Sequence, residues 1–178
     1  MARERREEEL MTAYQAGDRD ALDAIYWLMK DSLYSFLYRY TRDEQLSIDI
    51  VQDTFVKLQQ HKHQYDPAMG KLKPYLFQIA YRLMVNKLNR RKKLKSFFPS
   101  LVPITKTSID MADRMTIREA IGKLPPKQRA IILLYYYHDL PQEEIAVILE
   151  IPLGTVKSRL HHGIHRLKAL LGGDFLEA

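Results

Sequence analysis

Apolar residues recur at intervals of three and four along almost all of this chain, and this spacing restricts its fold more than any other feature. Between Leu22 and Tyr40 the apolar side chains fall on one broad helical face. The spacing of two that a half-buried strand would need is not required anywhere. The chain also has only seven glycines in 178 residues. The sequence therefore predicts an all-α fold.

Breaks in this spacing separate the first group of helices. A charged N-terminal helix ends at Gly17, and Asp18 is the expected N-cap of the next helix. A third amphipathic segment runs from Leu46 to Leu58, and a fourth helix begins near Pro74, where proline suits a first turn because it has no amide to lose. These segments predict a first helical bundle.

The segment at 96–112 interrupts the helical spacing with Pro99 and Pro103 and reads as a linker. It is unusually apolar for a linker, and its large side chains are expected to pack on a domain or on a partner. They are Phe97, Phe98, Leu101, Val102 and Ile104. We predict a domain at 1–95, a linker at 96–113 and a domain at 114–178.

Composition restricts the class of protein further. The formal net charge is +6, which is common among proteins that neutralise phosphates. There are no cysteines, so disulfides and thiolate metal sites are excluded. The charged N-terminus is no secretion signal, and no stretch approaches the roughly 20 apolar residues of a membrane span. We expect a soluble cytoplasmic protein without membrane insertion.

A helix-turn-helix pattern occupies residues 140–171. Pro141 opens a short helix, residues 150–152 form a turn, and Leu153 begins a second helix. A helical hairpin with a solvated basic face would show the same spacing. The second helix has no acid before Lys168, so its outward face can approach DNA in the major groove. The candidate contacts are Thr155, Lys157, Ser158, Arg159, His161 and His162.

The third helix carries an acidic face. Asp49, Gln52 and Asp53 are spaced i, i+3 and i+4, so they lie together on the side opposite the apolar residues. Solvation alone would also explain them. Because the chain has surplus positive charge, we interpret this face as a docking site for a basic partner.

The fourth helix carries a basic stripe. From Arg82 to Lys95 there are seven lysines or arginines and no acid. Such a run is often only a solvated face. Aromatic residues precede this stripe in the sequence. We predict that Tyr65 and Tyr75 stack on unpaired bases and that other residues of this segment fill the core. The expected core residues are Leu76, Ile79 and Ala80, whereas the spacing does not place Phe77 and Tyr81.

No catalytic or metal site is expected. His161 and His165 are spaced i, i+4, but a zinc site needs three or four ligands, and no carboxylate or cysteine lies beside the pair. The sequence has no nucleophile elbow, phosphate-binding glycine loop or convergent pair of carboxylates. We therefore expect no cofactor, no metal and no enzyme activity.

Several strings, in their order along the chain, resemble the extracytoplasmic-function group of sigma-70 factors over nearly the whole sequence. They are GDRDAL at 17–22, DIVQDTF at 49–55, YDP at 65–67, YLFQIA at 75–80, LPPKQRA at 124–130 and IPLGTVKSRL at 151–160. The resemblance implies a factor that binds core RNA polymerase and reads promoter DNA. The rival interpretations are a stand-alone helix-turn-helix regulator and a helical partner protein with no role on nucleic acid.

The resemblance also implies roles for the candidate residues. The face of Asp49, Gln52 and Asp53 would bind the clamp helices of the largest polymerase subunit, and the flap would be a further contact. The second domain would read the minus-thirty-five element through the helix of Thr155 to His162. An inhibitory anti-sigma factor is a further implied partner. The implied minus-ten contacts are Tyr65, Lys71, Lys73, Tyr75, Arg82, Asn86, Lys87, Arg90 and Arg91.

The chain departs from the family pattern at five positions. Tyr75 stands where tryptophan is usual, Arg82 where asparagine is usual, and Asn86 where a carboxylate is common. In the second half, Glu150 occupies a turn position often held by glycine, and His162 replaces an arginine. We expect the base preference at the minus-ten element to transfer least from the family.

Overall fold

A computed structural model describes residues 2–97 and 116–172. Within those ranges nearly every residue is helical and none is in a strand, so the all-α prediction is confirmed. A 3₁₀ turn, Lys62–Gln64, follows the third helix. The α-helices are α1 Ala2–Gln15, α2 Arg19–Thr41, α3 Glu44–Gln60, α4 Leu72–Phe97, α5 Ile117–Lys123, α6 Pro126–His138, α7 Gln142–Leu149 and α8 Leu153–Leu171.

Helices α1 to α4 form the first bundle. Asp18 caps α2 as predicted, because its Oδ1 accepts a hydrogen bond from the Asp20 amide at 3.0 Å. Pro74 lies in the first turn of α4, also as predicted. The apolar faces of the four helices meet in a core whose fully buried members include Ile25, Leu33, Phe36, Leu37, Ile50, Leu58, Leu76 and Phe77.

Helices α5 to α8 form the second bundle. A capping box between Thr116 and Glu119 starts α5. The predicted helix-turn-helix is confirmed: α7 ends at Leu149, Glu150 adopts a left-handed conformation with φ of 55°, and α8 begins at Leu153. Because Gly163 has no side chain, α8 approaches α6 closely at this position.

The two bundles pack on each other, α2 against α6 and α4 against α7. His138, at the end of α6, is 6% exposed and lies edge-on to the rings of Phe36 and Phe77. The buried residues of both bundles form one continuous core. The sequence predicted two modules joined by a tether and gave no sign that they would share a core.

Some expectations lie outside the described residues. The apolar linker residues Phe98, Leu101, Val102 and Ile104 belong to the range 98–115, and the Phe97 side chain is also outside the description. The domain boundaries proposed at 95/96 and 113/114 stay a prediction. Among the helices of the described ranges, none is both long enough and apolar enough to cross a membrane.

Candidate nucleic-acid and protein interfaces

The outer face of α8 presents polar and basic side chains. Lys157, Ser158, His161 and His162 are exposed, and Thr155 is half-buried. Buried residues on the opposite side hold the helix in place, among them Val156 and Leu160. The helix contains no acid, so nothing on it repels a phosphate backbone. This face can donate to base edges and phosphates together.

Arg159 differs from its neighbours because it is only half exposed. With Tyr81 of α4 and Lys127 of α6 it lines a cavity of about 240 Å³. Tyr81, which the sequence left unplaced, thus lies at the boundary between the bundles. Burial raises the pKa of its phenol, and the Arg159 charge opposes that rise.

The two tyrosines predicted to contact bases have different surroundings. Tyr75 is half-buried, with its ring 5.3 Å from that of Tyr65. Tyr65 is only 4% exposed, and its hydroxyl donates to the Gly70 carbonyl oxygen at 3.1 Å. Burial raises the pKa of Tyr65 to about 12. The expectation that Tyr65 stacks on a base is therefore corrected: its ring is enclosed and supports Tyr75.

A cavity of about 610 Å³ opens beside Tyr75. Its walls include Tyr65, Gln78 and Met69 from the first bundle and Val147 from α7. Met69 is 86% exposed, so an apolar side chain stands at the mouth. Sequence reasoning missed Met69 and the contribution of α7. A methionine in a loop carries no periodic signal, and the approach of α7 depends on tertiary packing.

Three of the seven cations in the basic stripe of α4 pair with acids. Lys87 lies 2.7 Å from Asp53, and Arg91 lies 2.6 Å from Asp43 of the α3 cap. Arg82 pairs with Glu150 of the second bundle. Asn86 and Arg90 are exposed. The stripe itself contains no acid, but acids from the α3 region and from the second bundle lie beside it in the fold.

Lys71, just before α4, and Lys73 in its first turn also face the second bundle. Lys71 Nζ lies 3.1 Å from the Glu144 carboxylate, and Lys73 Nζ donates to the His138 carbonyl oxygen at 2.8 Å. Charge repulsion from Lys73 adds to burial in lowering the pKa of His138. These contacts cross from one bundle to the other.

The acidic face of α3 is exposed at its centre. Gln52 is exposed, and Asp49 and Asp53 are partly so. Asp49 accepts a hydrogen bond from the Gln45 amide at 2.8 Å. Apolar Val56 on the same helix is 47% exposed, a feature that sequence reasoning missed. Charged and apolar groups side by side are typical of protein-binding surfaces.

Trp27 extends the same region from α2. It is 67% exposed, and its ring meets the edge of Tyr26, which in turn packs against Phe55 of α3. Lys30 lies over the tryptophan ring at 4.7 Å from its centroid. A large exposed aromatic beside an acidic helix gives a partner both an apolar and an ionic contact.

The histidines of α8 do not converge on a third ligand. His161 and His165 are exposed, and the residues placed by the structure include no group of three side chains able to hold a metal ion. The edge-on contact of His161 with His162 is a ring contact, with centroids 5.8 Å apart.

Comparison with known proteins assigns the two bundles. Residues 27–94 match the family model for sigma-70 region 2, and residues 114–167 match the model for sigma-70 region 4. The fold and its exposed helix faces thus define a two-domain sigma-70 protein.

Curated relatives narrow this assignment. The chain is 31% identical over 157 residues to the ECF RNA polymerase sigma factor SigM of Bacillus subtilis (strain 168), covering 84% of this chain and 94% of that protein. It is 31% identical over 171 residues to SigW of the same strain, covering 87% and 91%. The chain belongs to the extracytoplasmic-function group of sigma-70 factors.

Solved structures agree on the fold. The sigma factor RpoE of Bartonella quintana, in complex with the anti-sigma factor NepR, superposes with a TM-score of 0.70 at 24% identity, covering 84% of this chain and 95% of that one. CnrH in complex with the cytosolic domain of CnrY gives a TM-score of 0.73 at 22% identity, covering 96% and 99%.

Proposed function

We propose that this chain binds core RNA polymerase and directs transcription initiation at promoters that carry matching minus-ten and minus-thirty-five elements. The observation that carries the proposal is the exposed, acid-free face of α8 on a confirmed helix-turn-helix, within a chain of the sigma-70 family. The role is one of binding and positioning and uses no reaction of its own. It is exercised in the cytoplasm, where core polymerase acts.

The acidic face of α3 is the proposed polymerase contact. Asp49, Gln52 and Asp53 offer a negative surface that suits the basic clamp helices of the largest subunit. Exposed Val56 and Trp27 add apolar area beside it. The flap is proposed as a second contact, made by the second domain. Two weak contacts on one chain bind more tightly together than either alone.

The minus-ten element is proposed to bind along α4. Tyr75 and the cavity beside it fit a base displaced from the melted strand, with Tyr65 behind the Tyr75 ring. The cations along this surface and one side-chain amide would hold the phosphates of the DNA backbone. They are Lys71, Lys73, Arg82, Asn86, Lys87, Arg90 and Arg91.

The minus-thirty-five element is proposed to bind α8 in its major groove. Arg159 and Lys157 are the candidates for guanine acceptors or phosphates, and Ser158 and Thr155 can bond to base edges. His161 and His162 complete the face. His162 stands where arginine is usual, and an imidazole offers fewer donors to phosphate than the forked guanidinium would.

An inhibitory anti-sigma partner is also proposed. Two solved structures of similar fold hold a second protein: the sigma factor RpoE is in complex with the anti-sigma factor NepR, and CnrH is in complex with the cytosolic domain of CnrY. Apolar groups already exposed on this chain, Val56 and Trp27 among them, would suit such a partner.

The test is reconstitution with core polymerase. The purified chain is mixed with core enzyme and a linear promoter template, and run-off transcripts are measured against core enzyme alone. Promoter-directed transcripts that require the chain support the proposal. Tight binding to duplex DNA without polymerase, together with no transcripts, would support a stand-alone regulator instead. Failure of both would point to a helical partner protein.

A further inference from the structure

We infer that the free chain holds itself closed through a contact between α4 and α7, centred on Arg82 and Glu150, which covers the minus-ten surface until the two domains separate. The inference rests on the proposed function, because it assigns a regulatory role to the surface proposed to bind DNA. It concerns the chain alone and requires no inhibitor protein.

The contact, which we call the clasp, consists of polar groups from the middle of α4 and the end of α7. The Arg82 guanidinium donates to the Glu150 carboxylate. Gln78 Nε2 donates to the Val147 carbonyl oxygen at 2.9 Å and reaches the Glu150 carboxylate at 3.4 Å. Farther along the same boundary, Lys71 pairs with Glu144. Lys71, just before α4, and Gln78 and Arg82 within it are thus joined to α7 and its C-cap.

Both central residues are departures from the family pattern. Glu150 holds a left-handed conformation with φ of 55°, which costs an L side chain energy that glycine, usual at this turn position, would not lose. Arg82 stands where asparagine is usual. The two departures meet each other across the domain boundary. The Glu150 side chain therefore makes a contact that glycine could not make.

The clasp occupies the surface proposed for the minus-ten element. Helix α7 supplies Val147 and Glu144 to the walls of the cavity beside Tyr75. Arg82 is proposed to hold a phosphate, yet its guanidinium is occupied by a carboxylate. On the other side of the boundary, Arg159 of α8 lines a cavity together with Tyr81 and is half-buried. DNA and α7 therefore compete for the same groups.

The clasp is built to open. Side chains of the Arg82 and Glu150 pair are 55% and 52% exposed, so water and salt weaken their attraction. Lys71, of the second pair, is also accessible, at 46%. Contacts of this kind are exchanged readily for equivalent contacts with phosphate. Polymerase docking on α3 leaves α4 in place, so release of α7 is the step that exposes the DNA surface.

The closing experiment measures the distance between the domains directly. The chain contains no cysteine, so two introduced cysteines, Gln59→Cys on α3 and Lys168→Cys on α8, carry the only spin labels. Pulsed electron paramagnetic resonance then gives the distribution of distances between the two labels in the free full-length chain. The distribution is compared in the background sequence, in Glu150→Arg, in the charge swap Arg82→Glu with Glu150→Arg, and in Asp23→Arg.

Glu150→Arg places two cations together and should shift the distribution to longer, broader distances. The charge swap should restore the short distance. Asp23→Arg makes the same change of charge at an exposed site of α2 and should leave the distribution unchanged. Glu150→Arg should also bind a single-stranded minus-ten oligonucleotide at least fivefold more tightly without polymerase, whereas Asp23→Arg should not.

Equal distributions in the background sequence and in Glu150→Arg would overturn the clasp, as would an already broad distribution before substitution. Run-off transcription with core polymerase separates this failure from failure of the proposed function. Transcripts without a distance change reject the clasp alone. Absence of transcripts from every variant rejects the proposed function, and with it the regulatory role of the clasp.

Discussion

Lys87 of α4 places its ammonium nitrogen 2.7 Å from the carboxylate of Asp53 on α3, and this pair joins the two faces proposed to bind different partners. The acid belongs to the proposed polymerase face and the lysine to the proposed DNA stripe. The lysine side chain is 33% exposed and the aspartate side chain is 45% exposed, so the pair contributes at most about 1 kcal/mol to the stability of the fold. Both groups can therefore exchange partners when the complex forms.

Reversal of charge at Asp49 and Asp53 to lysine should reduce affinity for core polymerase at least tenfold. The reason is loss of a complementary surface, with two cations now facing a basic partner. Helicity should be unchanged, because neither side chain is buried. Fluorescence anisotropy of labelled chain against core enzyme gives the affinity, and circular dichroism checks the fold.

Lys87→Ala is the matched control for that prediction. It removes the same ion pair but leaves the acidic face intact, so polymerase affinity should stay the same while minus-ten binding weakens. If Lys87→Ala impaired polymerase binding as much as the double charge reversal does, the ion pair itself, and not the acidic face, would be the cause.

Arg159→Ala and Lys157→Ala should differ in kind. A base contact by Arg159 is worth about 1 to 3 kcal/mol, and its loss should relax preference at one position of the minus-thirty-five element. Lys157 is exposed and is proposed to contact phosphate, so its loss should weaken all sequences alike and lower the salt dependence. Competition binding of holoenzyme to single-base promoter variants distinguishes the two patterns. Uniform weakening in both would make Arg159 a positioning contact.

The closed form should open as the solution becomes acidic. His138 is buried against Phe36 and Phe77, and burial, with help from nearby Lys73 and Arg39, lowers its pKa from 6.5 to about 4, although Asp139 opposes the shift. An exposed imidazole in the open form keeps its ordinary pKa. The open form therefore binds the proton first as pH falls.

The closed form should thus be fully stable above about pH 6.5 and lose stability down to about pH 4, by at most about tenfold in population per pH unit. Double-label distances recorded between pH 7 and about pH 5 check this. His138→Gln cannot titrate and should give a flat profile. An identical profile in His138→Gln would assign the opening to other groups.

Gly163→Ala should stabilise the chain less than Gly154→Ala does. A helical glycine replaced by alanine gains up to about 1 kcal/mol, and nothing lies within 4 Å of a Cβ at Gly154. At Gly163 a Cβ would lie 3.1 Å from Ile132 Cγ1, and Ile132 is 1% exposed and cannot yield easily. Urea denaturation of both variants gives the difference, and an equal gain would contradict the close packing of α6 and α8.

Local signals in the sequence predicted much of the fold. A short polar residue after Gly17 predicted the cap at Asp18, Pro141 predicted the start of α7, and the turn at 150–152 predicted that α8 begins at Leu153. Apolar spacing placed Leu76 and Ala80 in the core, whereas Ile79 proved half-buried. Each of these features depends on neighbours within a turn or two of helix, which a single sequence displays directly.

Features that depend on distant residues were not predictable. Arg82 and Glu150 are 68 positions apart, and no spacing records that α7 lies against α4. Phe77 is completely buried and Tyr65 nearly so, although both sit on segments whose aromatic residues could equally have faced DNA. Tertiary packing chose between these outcomes, since periodicity identifies an apolar face but not which helix covers it.

The most direct measurement is the mapping of transcript starts made in vitro from genomic DNA by core polymerase with and without the chain. The account predicts a set of starts that depends on the chain and shares two upstream motifs, and that disappears with the Asp49 and Asp53 charge reversal. Starts identical to those of core enzyme alone, or dependent starts with no shared motif, would contradict it.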